Sequence, residues 1–339
     1  MVKFSKNLRL PVTTATFFGL AALTGLVWLA IWALFGMFDD AFVLFRFTNY
    51  FGSYVPLLAV IGVFLSFSLL RSTAWRILSL IITLPSVLLP LVLPSMVSNS
   101  TLDVRVSEGQ PMLELDVVTY SRTGHNKEFE RIAELVDCQK YGLILLQEFG
   151  DIEKFEALYS DQLAGCFVSF PQSKYSFKSV GIVSAYEITN ARVTDAGVRA
   201  SIQVGGQNVE LLTSRFSRSI TQSGFREQQR QIDLAIEELA GAPIAILAGD
   251  FNSTQYNESL YRLRRHFVLA DPGGMLNSSA TFPAEKRWYA FLGALVGIDH
   301  IFYRGMNLLS SDVVDDSYGS DHFPVHARFS LPLMENPDE

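Results

Sequence analysis

Three long apolar runs without charged side chains open this chain. They cover residues 10–38, 48–70 and 77–97. Each is long enough to cross a bilayer as a helix, which needs roughly 20 apolar residues. The first is too long for the apolar segment of a cleaved signal peptide, about 7–15 residues. The pattern predicts an uncleaved anchor of three transmembrane helices within residues 1–102, with buried helices of a soluble core as the alternative.

Basic residues beside these runs predict the orientation of the anchor. The flanks on one side hold five basic side chains and the opposite loop holds one: Lys3, Lys6, Arg9, Arg71 and Arg76 against Arg46. Short loops rich in Lys and Arg stay in the cytoplasm. We therefore expect a multi-pass protein of the cell (inner) membrane, with a cytoplasmic N-terminus and a second part that is extracytoplasmic (periplasmic).

The pattern changes after residue 102. Residues 103–112 are polar and contain Gly109 and Pro111, which indicates a linker. Residues 113–332 mix short apolar runs with amphipathic segments, as in an α/β domain, and residues 333–339 form a polar tail. Strands are predicted over 113–120, 166–170, 180–184, 199–204 and 209–213, and helices over 127–139 (capped by Asn126), 152–163, 224–239 and 257–267.

Four apolar runs of this domain contain or end in polar side chains. They are Leu143-Ile144-Leu145-Leu146-Gln147-Glu148, Ala245-Ile246-Leu247-Ala248-Gly249-Asp250-Phe251-Asn252, Gly297-Ile298-Asp299-His300-Ile301-Phe302 and the approach to Ser320-Asp321-His322-Phe323-Pro324-Val325. A central strand delivers polar groups to the rim of a sheet in this way. A strand followed by an ordinary turn is the alternative for any single run, but four such ends suggest one site.

The four motifs, in this order, resemble the endonuclease/exonuclease/phosphatase superfamily, which has the deoxyribonuclease-I-like fold. The resemblance covers roughly residues 113–331. It implies a four-layer α/β sandwich of two packed β-sheets flanked by helices, here preceded by three transmembrane helices. The chain would be a membrane-anchored, bacterial-type member that hydrolyses phosphate esters.

The resemblance also implies site residues. Glu148 and Asp321 would ligate a divalent cation, and oxygen ligands suit Mg²⁺ or Mn²⁺. Asp250 would orient or deprotonate the attacking water, and Asn252 would hydrogen-bond the transferring phosphoryl group. Asp299 would orient the ring of His322, and His322 would face the phosphate. No such role falls to His300 or His326, which are expected to be structural.

Two positions depart from the family pattern. Ser121 stands where an asparagine is usual, and its hydroxyl cannot offer an amide's donor and acceptor. Arg215, or Ser214 by a one-residue slip, stands in Thr213-Ser214-Arg215-Phe216 where the family has a histidine that donates to the phosphate. An arginine can bind phosphate bidentately but cannot shuttle protons. Arg215 is thus a candidate phosphate ligand or, alternatively, a solvated strand residue.

The substrate stays open at this stage. Only six of the 27 Lys and Arg residues and two of the 34 Asp and Glu residues precede residue 103, so the second part is strongly acidic. An acidic surface suits long polyanions poorly. This and the lipid bilayer anchor favour a phospholipid head group or a small phosphodiester, whereas the family as a whole favours nucleic acid. The departures at Ser121 and Arg215 also allow a catalytically inactive binding module of the same fold.

Two smaller features have alternatives that the sequence leaves open. The two cysteines, Cys138 and Cys166, are either disulfide-bonded or two buried free thiols. The aromatic segment Trp288-Tyr289-Ala290-Phe291-Leu292 precedes the Asp299 motif. Packing into the core is favoured for this segment over contact with lipid or substrate.

Overall fold

The computed structural model of the chain describes residues 12–96, 112–124, 126–170, 179–271, 279–285, 288 and 290–332. These fall into two compact units, Met1–Met96 and Val97–Glu339. The linker and tail expected at 103–112 and 333–339 lie outside the described residues, apart from Met112, which begins the first strand. The basic residues before the first apolar run also lie outside them.

The first unit contains three helices long and apolar enough to cross a membrane, over Thr14–Gly36, Gly52–Leu69 and Thr73–Pro94. Its α-helices are α1 (Val12–Ile31), α2 (Val43–Tyr50), α3 (Val55–Leu69) and α4 (Thr73–Met96). A π-helical turn at Trp32–Gly36 continues α1. The described helices therefore agree with the three predicted runs, and α2 is an additional short helix before the second run.

A network of buried hydrogen bonds joins the loop between the first two apolar runs to the neighbouring helices. Asn49 of α2 accepts from Trp32 Nε1 at 2.7 Å and donates to Asp40 Oδ1 at 2.9 Å. Arg46 Nε donates to the Asp40 carbonyl at 2.7 Å. Asp40, Arg46 and Asn49 are all buried. This network satisfies polar groups that would otherwise be costly to bury beside apolar helices.

The second unit is a sandwich of two six-stranded sheets. The strands are β1 (Met112–Ser121), β2 (Leu143–Gln147), β3 (Phe167–Ser169), β4 (Val180–Ser184), β5 (Ile188–Thr194), β6 (Gly197–Val204), β7 (Gln207–Arg215), β8 (Ala245–Asp250), β9 (Val268–Leu269), β10 (Asp299–Arg304), β11 (Asn307–Val313) and β12 (Val325–Pro332). One sheet has the order β11-β12-β1-β2-β4-β3 and the other β5-β6-β7-β8-β10-β9. Each has one parallel pair near its centre, β1 with β2 and β7 with β8.

Apolar clusters separate the layers. The central cluster fills the space between the sheets and includes Val117, Leu145, Leu211 and Ile246. Helices α5 (Phe129–Ala133) and α6 (Ile152–Leu158) belong to the cluster on the outer face of the first sheet. Helices α7 (Gln222–Glu238) and α8 (Glu258–Leu263) cover the second sheet in the same way. The predicted four-layer α/β sandwich is confirmed.

Several predicted helices are too long. Helix α5 covers Phe129–Ala133 instead of residues 127–139, and turns follow it, in which Asp137 accepts from the Gln139 amide at 2.8 Å and Cys138 is cross-linked to Cys166. Asn126 does not cap this helix; the residue at the N-cap position is Glu128, which makes no capping hydrogen bond. The apolar pattern remained regular there because turn residues still point into the core.

The same reason applies to two other helices. Helix α6 ends at Leu158 and α8 at Leu263, although the predicted helices extend to residues 163 and 267. Leu163 and Phe267 still pack in the outer clusters. Strands β5 and β11 were not predicted. Both are edge strands with mostly exposed or half-exposed side chains, so their sequences do not alternate clearly between apolar and polar residues.

Candidate active site

The candidate site lies at one rim of the sandwich, where strands of both sheets end. Along β8, Ile246 and Ala248 point into the central cluster, and strand alternation carries Asp250 to the same side at the strand end. The same alternation brings four further polar side chains to this rim: Ser121 of β1, Gln147 of β2, Arg215 of β7 and Asp299 of β10. The space between the sheets is therefore apolar in its middle and polar at the rim.

Asp299 and His322 form a buried hydrogen-bonded pair. His322 Nδ1 lies 2.8 Å from Asp299 Oδ2, and Thr281 Oγ1 donates to the same oxygen at 2.5 Å. Burial by itself lowers the pKa of His322, but the charge and hydrogen bond of Asp299 and the charges of Asp250 and Asp321 raise this pKa to about 9. His322 is therefore protonated at neutral pH, and its Nε2 is a second donor besides Nδ1.

Asp250 is a fully buried carboxylate held by its neighbour Asn252. The backbone N of Asn252 donates to Asp250 Oδ1 at 2.9 Å, and Asn252 Nδ2 donates to Asp250 Oδ2 at 2.9 Å and to the Phe216 carbonyl at 3.0 Å. Burial raises the pKa of Asp250 to about 6, against the charges of His322 and Arg215. Asn252 thus orients Asp250 and has no amide hydrogen left for a phosphoryl oxygen in this arrangement.

Arg215 lies between two carboxylates. Its Nε contacts Glu148 Oε1 and lies 3.7 Å from Asp250 Oδ2. The same nitrogen is buried and makes no aligned hydrogen bond, so the contact with Glu148 is an ion pair rather than a directed hydrogen bond. The Arg215 side chain is only 15% exposed. Arg215 is thus not a solvated strand residue.

Ser121 lies between the two acidic positions for which the sequence predicts metal binding. It pairs with Gln147, the residue before Glu148, and its carbonyl accepts from Ser320 Oγ at 2.7 Å, next to Asp321. The Ser121 hydroxyl is buried and has no hydrogen-bond partner within the described residues. An orphan buried hydroxyl of this kind indicates a missing partner.

By donor type, these residues suit a hard divalent cation. Glu148 and Asp321 carry carboxylates, the buried Ser121 hydroxyl has no partner within the described residues, and Mg²⁺ and Mn²⁺ prefer oxygen donors. Arg215 already contacts one oxygen of Glu148. A cation held by Glu148 must therefore share this carboxylate with a guanidinium.

A second group of side chains could hold a metal by distance alone. The ligand atoms of Asp250, Asp299 and His322 lie within 4.8 Å of one another. His322 Nδ1 already lies 2.8 Å from Asp299 Oδ2, so a cation bound here would replace this hydrogen bond. The group is therefore a second candidate for holding a cation, and the same side chains can instead act as an acid–base network.

Two site residues have a left-handed backbone conformation. The φ angle of Glu148 is 52° and that of Asn252 is 46°. Such angles are uncommon for residues other than glycine, and they cluster at functional sites. Glu148 directly follows the end of β2, and Asn252 lies two residues beyond the end of β8, so both unusual backbone angles fall at the rim.

Gln147 joins the two sheets beneath the site, which the sequence did not predict. Its side-chain amide donates to Thr119 Oγ1 of the first sheet at 3.1 Å and to Thr213 Oγ1 of the second at 3.0 Å. All three side chains are fully buried. One signal was present: Gln147 is the polar member of an inward-facing series with Leu143 and Leu145. This bridge holds the two halves of the site in fixed relation.

Thr281 and Thr123 are two further residues that sequence reasoning missed. Thr281 supports Asp299, as described above, and Thr123 Oγ1 donates to Asp321 Oδ1. A lone threonine in a loop carries no sequence signal for such a role. His300 is buried with its Nε2 2.9 Å from the Ser253 carbonyl, in agreement with a structural role.

Solved structures of other proteins align with this chain over most of their own length. TDP2 from Caenorhabditis elegans aligns with a TM-score of 0.52 and 16% identity over 82% of this chain and 93% of that chain. An AP endonuclease from Archaeoglobus fulgidus aligns with a TM-score of 0.50 and 17% identity over 63% of this chain and 99% of that chain. A protein described as endonuclease/exonuclease/phosphatase from Bacteroides vulgatus aligns with a TM-score of 0.52 and 15% identity over 65% and 99%. At these identities the likeness shows the fold alone.

Sequence comparison decides the family. No curated protein matches this chain in sequence. The model of the Endonuclease/Exonuclease/phosphatase family, however, matches residues 119–322, which is more than half of the chain and includes every predicted site residue. The chain belongs to the endonuclease/exonuclease/phosphatase family.

Proposed function

We propose that this protein is a membrane-anchored, divalent-metal-dependent phosphoesterase. The observation that carries the proposal is the buried rim group of Asp250, Asp299 and His322. It places a carboxylate with a pKa raised to about 6 beside an imidazole with a pKa raised to about 9. Two titratable groups with separated pKa values are the usual sign of assigned base and acid roles.

The residues of this chain would share the work as follows. Asp250, fixed by Asn252, accepts a proton from the water that attacks phosphorus, while the P–O bond to the ester's alcohol breaks and the departing alkoxide takes a proton from solvent. His322, held through Nδ1 by Asp299, donates from Nε2 to the phosphoryl group and stabilises its growing charge. Arg215 carries a permanent positive charge at the same rim and can bind a phosphoryl oxygen.

The proposed cation site is formed by Glu148, Asp321 and the Ser121 hydroxyl. When bound there, Mg²⁺ or Mn²⁺ would polarise a phosphoryl oxygen and offset charge during displacement at phosphorus. Glu148 also holds Arg215 beside Asp250, so one carboxylate links the cation site to the acid–base group.

The pKa shifts predict a bell-shaped pH profile for hydrolysis. Asp250 must be deprotonated to accept a proton, so the rate should rise with a midpoint near the raised pKa of about 6. His322 must be protonated to donate, so the rate should fall with a midpoint near about 9. A kcat/KM profile of the full chain in detergent checks both limbs. His322→Ala should lose the alkaline limb, and a profile that rises steadily past both midpoints contradicts these roles.

Hydrolysis of a substrate panel by the full chain tests the proposed function. The panel holds phosphomonoesters, phosphodiesters, DNA, RNA and phospholipids, and at least one class should be turned over. His322→Ala should then lower kcat by about 10²-fold or more, and Asp299→Asn should lower it less, because Asp299 only orients the ring. Equal losses in these two variants would contradict the orienting role.

The contact of Arg215 with Glu148 favours one other function. The guanidinium of Arg215 already pairs with Glu148, the carboxylate expected to bind metal. This ion pair suits a binding module that has lost catalysis. In that case the folded wild-type chain would hydrolyse nothing in the panel. It would also bind its phosphate ester equally well with and without the Asp250 and His322 substitutions.

We further propose that the catalytic unit lies outside the cytoplasm. Cys138 and Cys166 are disulfide-bonded, with their Cα atoms 5.9 Å apart, and Cys138 is buried in the outer cluster of the first sheet. Disulfides persist in oxidising compartments and are rare in the cytosol. This bond agrees with the orientation predicted from the loop charges.

A reporter fusion tests this orientation. Alkaline phosphatase fused after Glu339 should be active, because it would be exported with the catalytic unit. The same enzyme fused after Arg71, in the loop between the second and third runs, should be inactive and serves as the matched control. Activity of the Arg71 fusion and not of the Glu339 fusion would reverse the orientation.

A further inference from the structure

A loop beside the site exposes large apolar side chains. We call residues 283–294 the arm; Lys286, Arg287 and Tyr289 of this segment lie outside the described residues. Trp288 is 86% exposed, Phe291 79% and Leu292 58%. Within the described part of the catalytic unit, Trp288 and Phe291 are the most exposed large apolar side chains. The expectation that this segment packs into the core is therefore wrong for these three residues.

The base of the arm is fixed to the candidate active site. Phe282 and Val296 pair as an isolated β-bridge and close the arm. The Phe282 ring lies 5.2 Å from the His322 ring, and the backbone N of Ala284 donates to the Asp321 carbonyl at 2.8 Å. The base of the arm therefore contacts two residues of the catalytic rim, His322 and Asp321.

The composition of the arm suits the polar–apolar boundary of a bilayer. Its sequence Lys286-Arg287-Trp288-Tyr289-Ala290-Phe291-Leu292 joins two basic residues to three aromatic ones. Trp and Tyr concentrate at membrane interfaces, and Lys and Arg attract anionic head groups. The two basic residues follow Glu285 in a unit that is acidic as a whole.

The chain itself supplies a reason to choose lipid as the occupant. Its first unit has three helices long and apolar enough to cross a membrane, so a bilayer is the apolar phase that the arm would meet. Large apolar side chains exposed to water lower solubility, and contact with lipid would remove Trp288 and Phe291 from water.

We propose that the arm inserts its tip into the interface of a lipid bilayer and that the substrate is a lipid phosphate ester. This inference rests on the proposed phosphoesterase function and narrows its substrate class. Seating the tip in the head-group layer brings the His322 rim to lipid phosphates, through the contact of Phe282 with His322. A phosphate ester in the bilayer is then presented at high local concentration.

Depth measurement tests the membrane contact independently of catalysis. A spin label is placed on Phe291→Cys of the full chain in vesicles of phosphatidylcholine and phosphatidylglycerol. The two native cysteines are consumed by the disulfide, so the new thiol is the reactive one. The label should collide more with oxygen and less with a water-soluble nickel chelate than a label on Leu309→Cys, from edge strand β11, where the native side chain is 50% exposed. Equal nickel collision at both positions overturns the contact.

Activity on two kinds of substrate tests the substrate class. The variant Trp288→Ser/Phe291→Ser should hydrolyse phospholipids in these vesicles about tenfold more slowly or worse. Its hydrolysis of soluble bis(p-nitrophenyl) phosphate should stay unchanged, and Leu309→Ser should alter neither rate. An equal loss on both substrates, or on neither, overturns the lipid assignment. If the wild type hydrolyses neither substrate, the proposed function fails, whereas the depth result still decides the membrane contact.

Discussion

Replacing Asp250 with asparagine is expected to lower kcat by about 10²–10⁴-fold, the usual cost of losing a general base. The substitution keeps the size of the side chain and removes its ability to accept a proton at a pH above about 6, the value to which burial raises the Asp250 pKa. The rate should be measured on the full chain in detergent, at a pH between the two limbs of the profile. The acid limb of the profile should disappear together with the rate.

Folding of this variant must be tested separately, because Asp250 is buried and accepts two hydrogen bonds from Asn252. Asparagine offers only one acceptor there, so some loss of thermal stability is expected. Asp116→Asn is a suitable control, since Asp116 also lies in a strand, contacts His326 and Arg328, and lies outside the site. A folded Asp250→Asn chain with near wild-type kcat would rule out the base role.

Removing divalent cations is expected to abolish hydrolysis, and adding Mg²⁺ or Mn²⁺ to restore it. The physical reason is that the phosphoryl oxygens develop charge that the cation offsets, in a site whose donors at Glu148, Asp321 and Ser121 are all oxygens. Chelation followed by titration of each metal measures the effect. Full activity in excess chelator would contradict this part of the proposal.

Metal affinity can be measured without turnover, by the electron paramagnetic resonance signal of free Mn²⁺. Glu148→Gln should weaken Mn²⁺ binding by at least about tenfold, because one charged ligand is lost. Arg215→Gln should instead strengthen binding, because it frees Glu148 from its ion pair and removes a competing positive charge. Opposite signs in these two variants are the result that identifies Glu148 as shared between guanidinium and metal. If neither variant alters the affinity, the cation is held elsewhere.

The sequence by itself determined the features that depend on local patterns. A charge-free apolar run of sufficient length predicts a helix that can cross a membrane, and the three predicted runs match three helices long and apolar enough to do so. An apolar run that ends in Gly249-Asp250 predicts a buried strand with a carboxylate at its end, because alternation is a property of the strand alone. The four motifs predicted the fold through the family resemblance that they carry, and the match of the family model to residues 119–322 agrees with that resemblance.

Only the tertiary structure decided which groups meet across that rim. Arg215 and Glu148 come from different sheets, so no local pattern could show their ion pair. The disulfide between Cys138 and Cys166 depends in the same way on a distance that the sequence does not contain.

The orientation of single side chains was also decided by the folded environment. Asn252, whose backbone has a positive φ angle, donates its side-chain amide to Asp250, and Phe291 of the arm is exposed instead of packed into the core. Periodicity reports which face of an element a residue lies on. Periodicity does not report which side chains of a neighbouring element pack against that face. At this site those neighbours set the pKa values of Asp250 and His322 and the local charge.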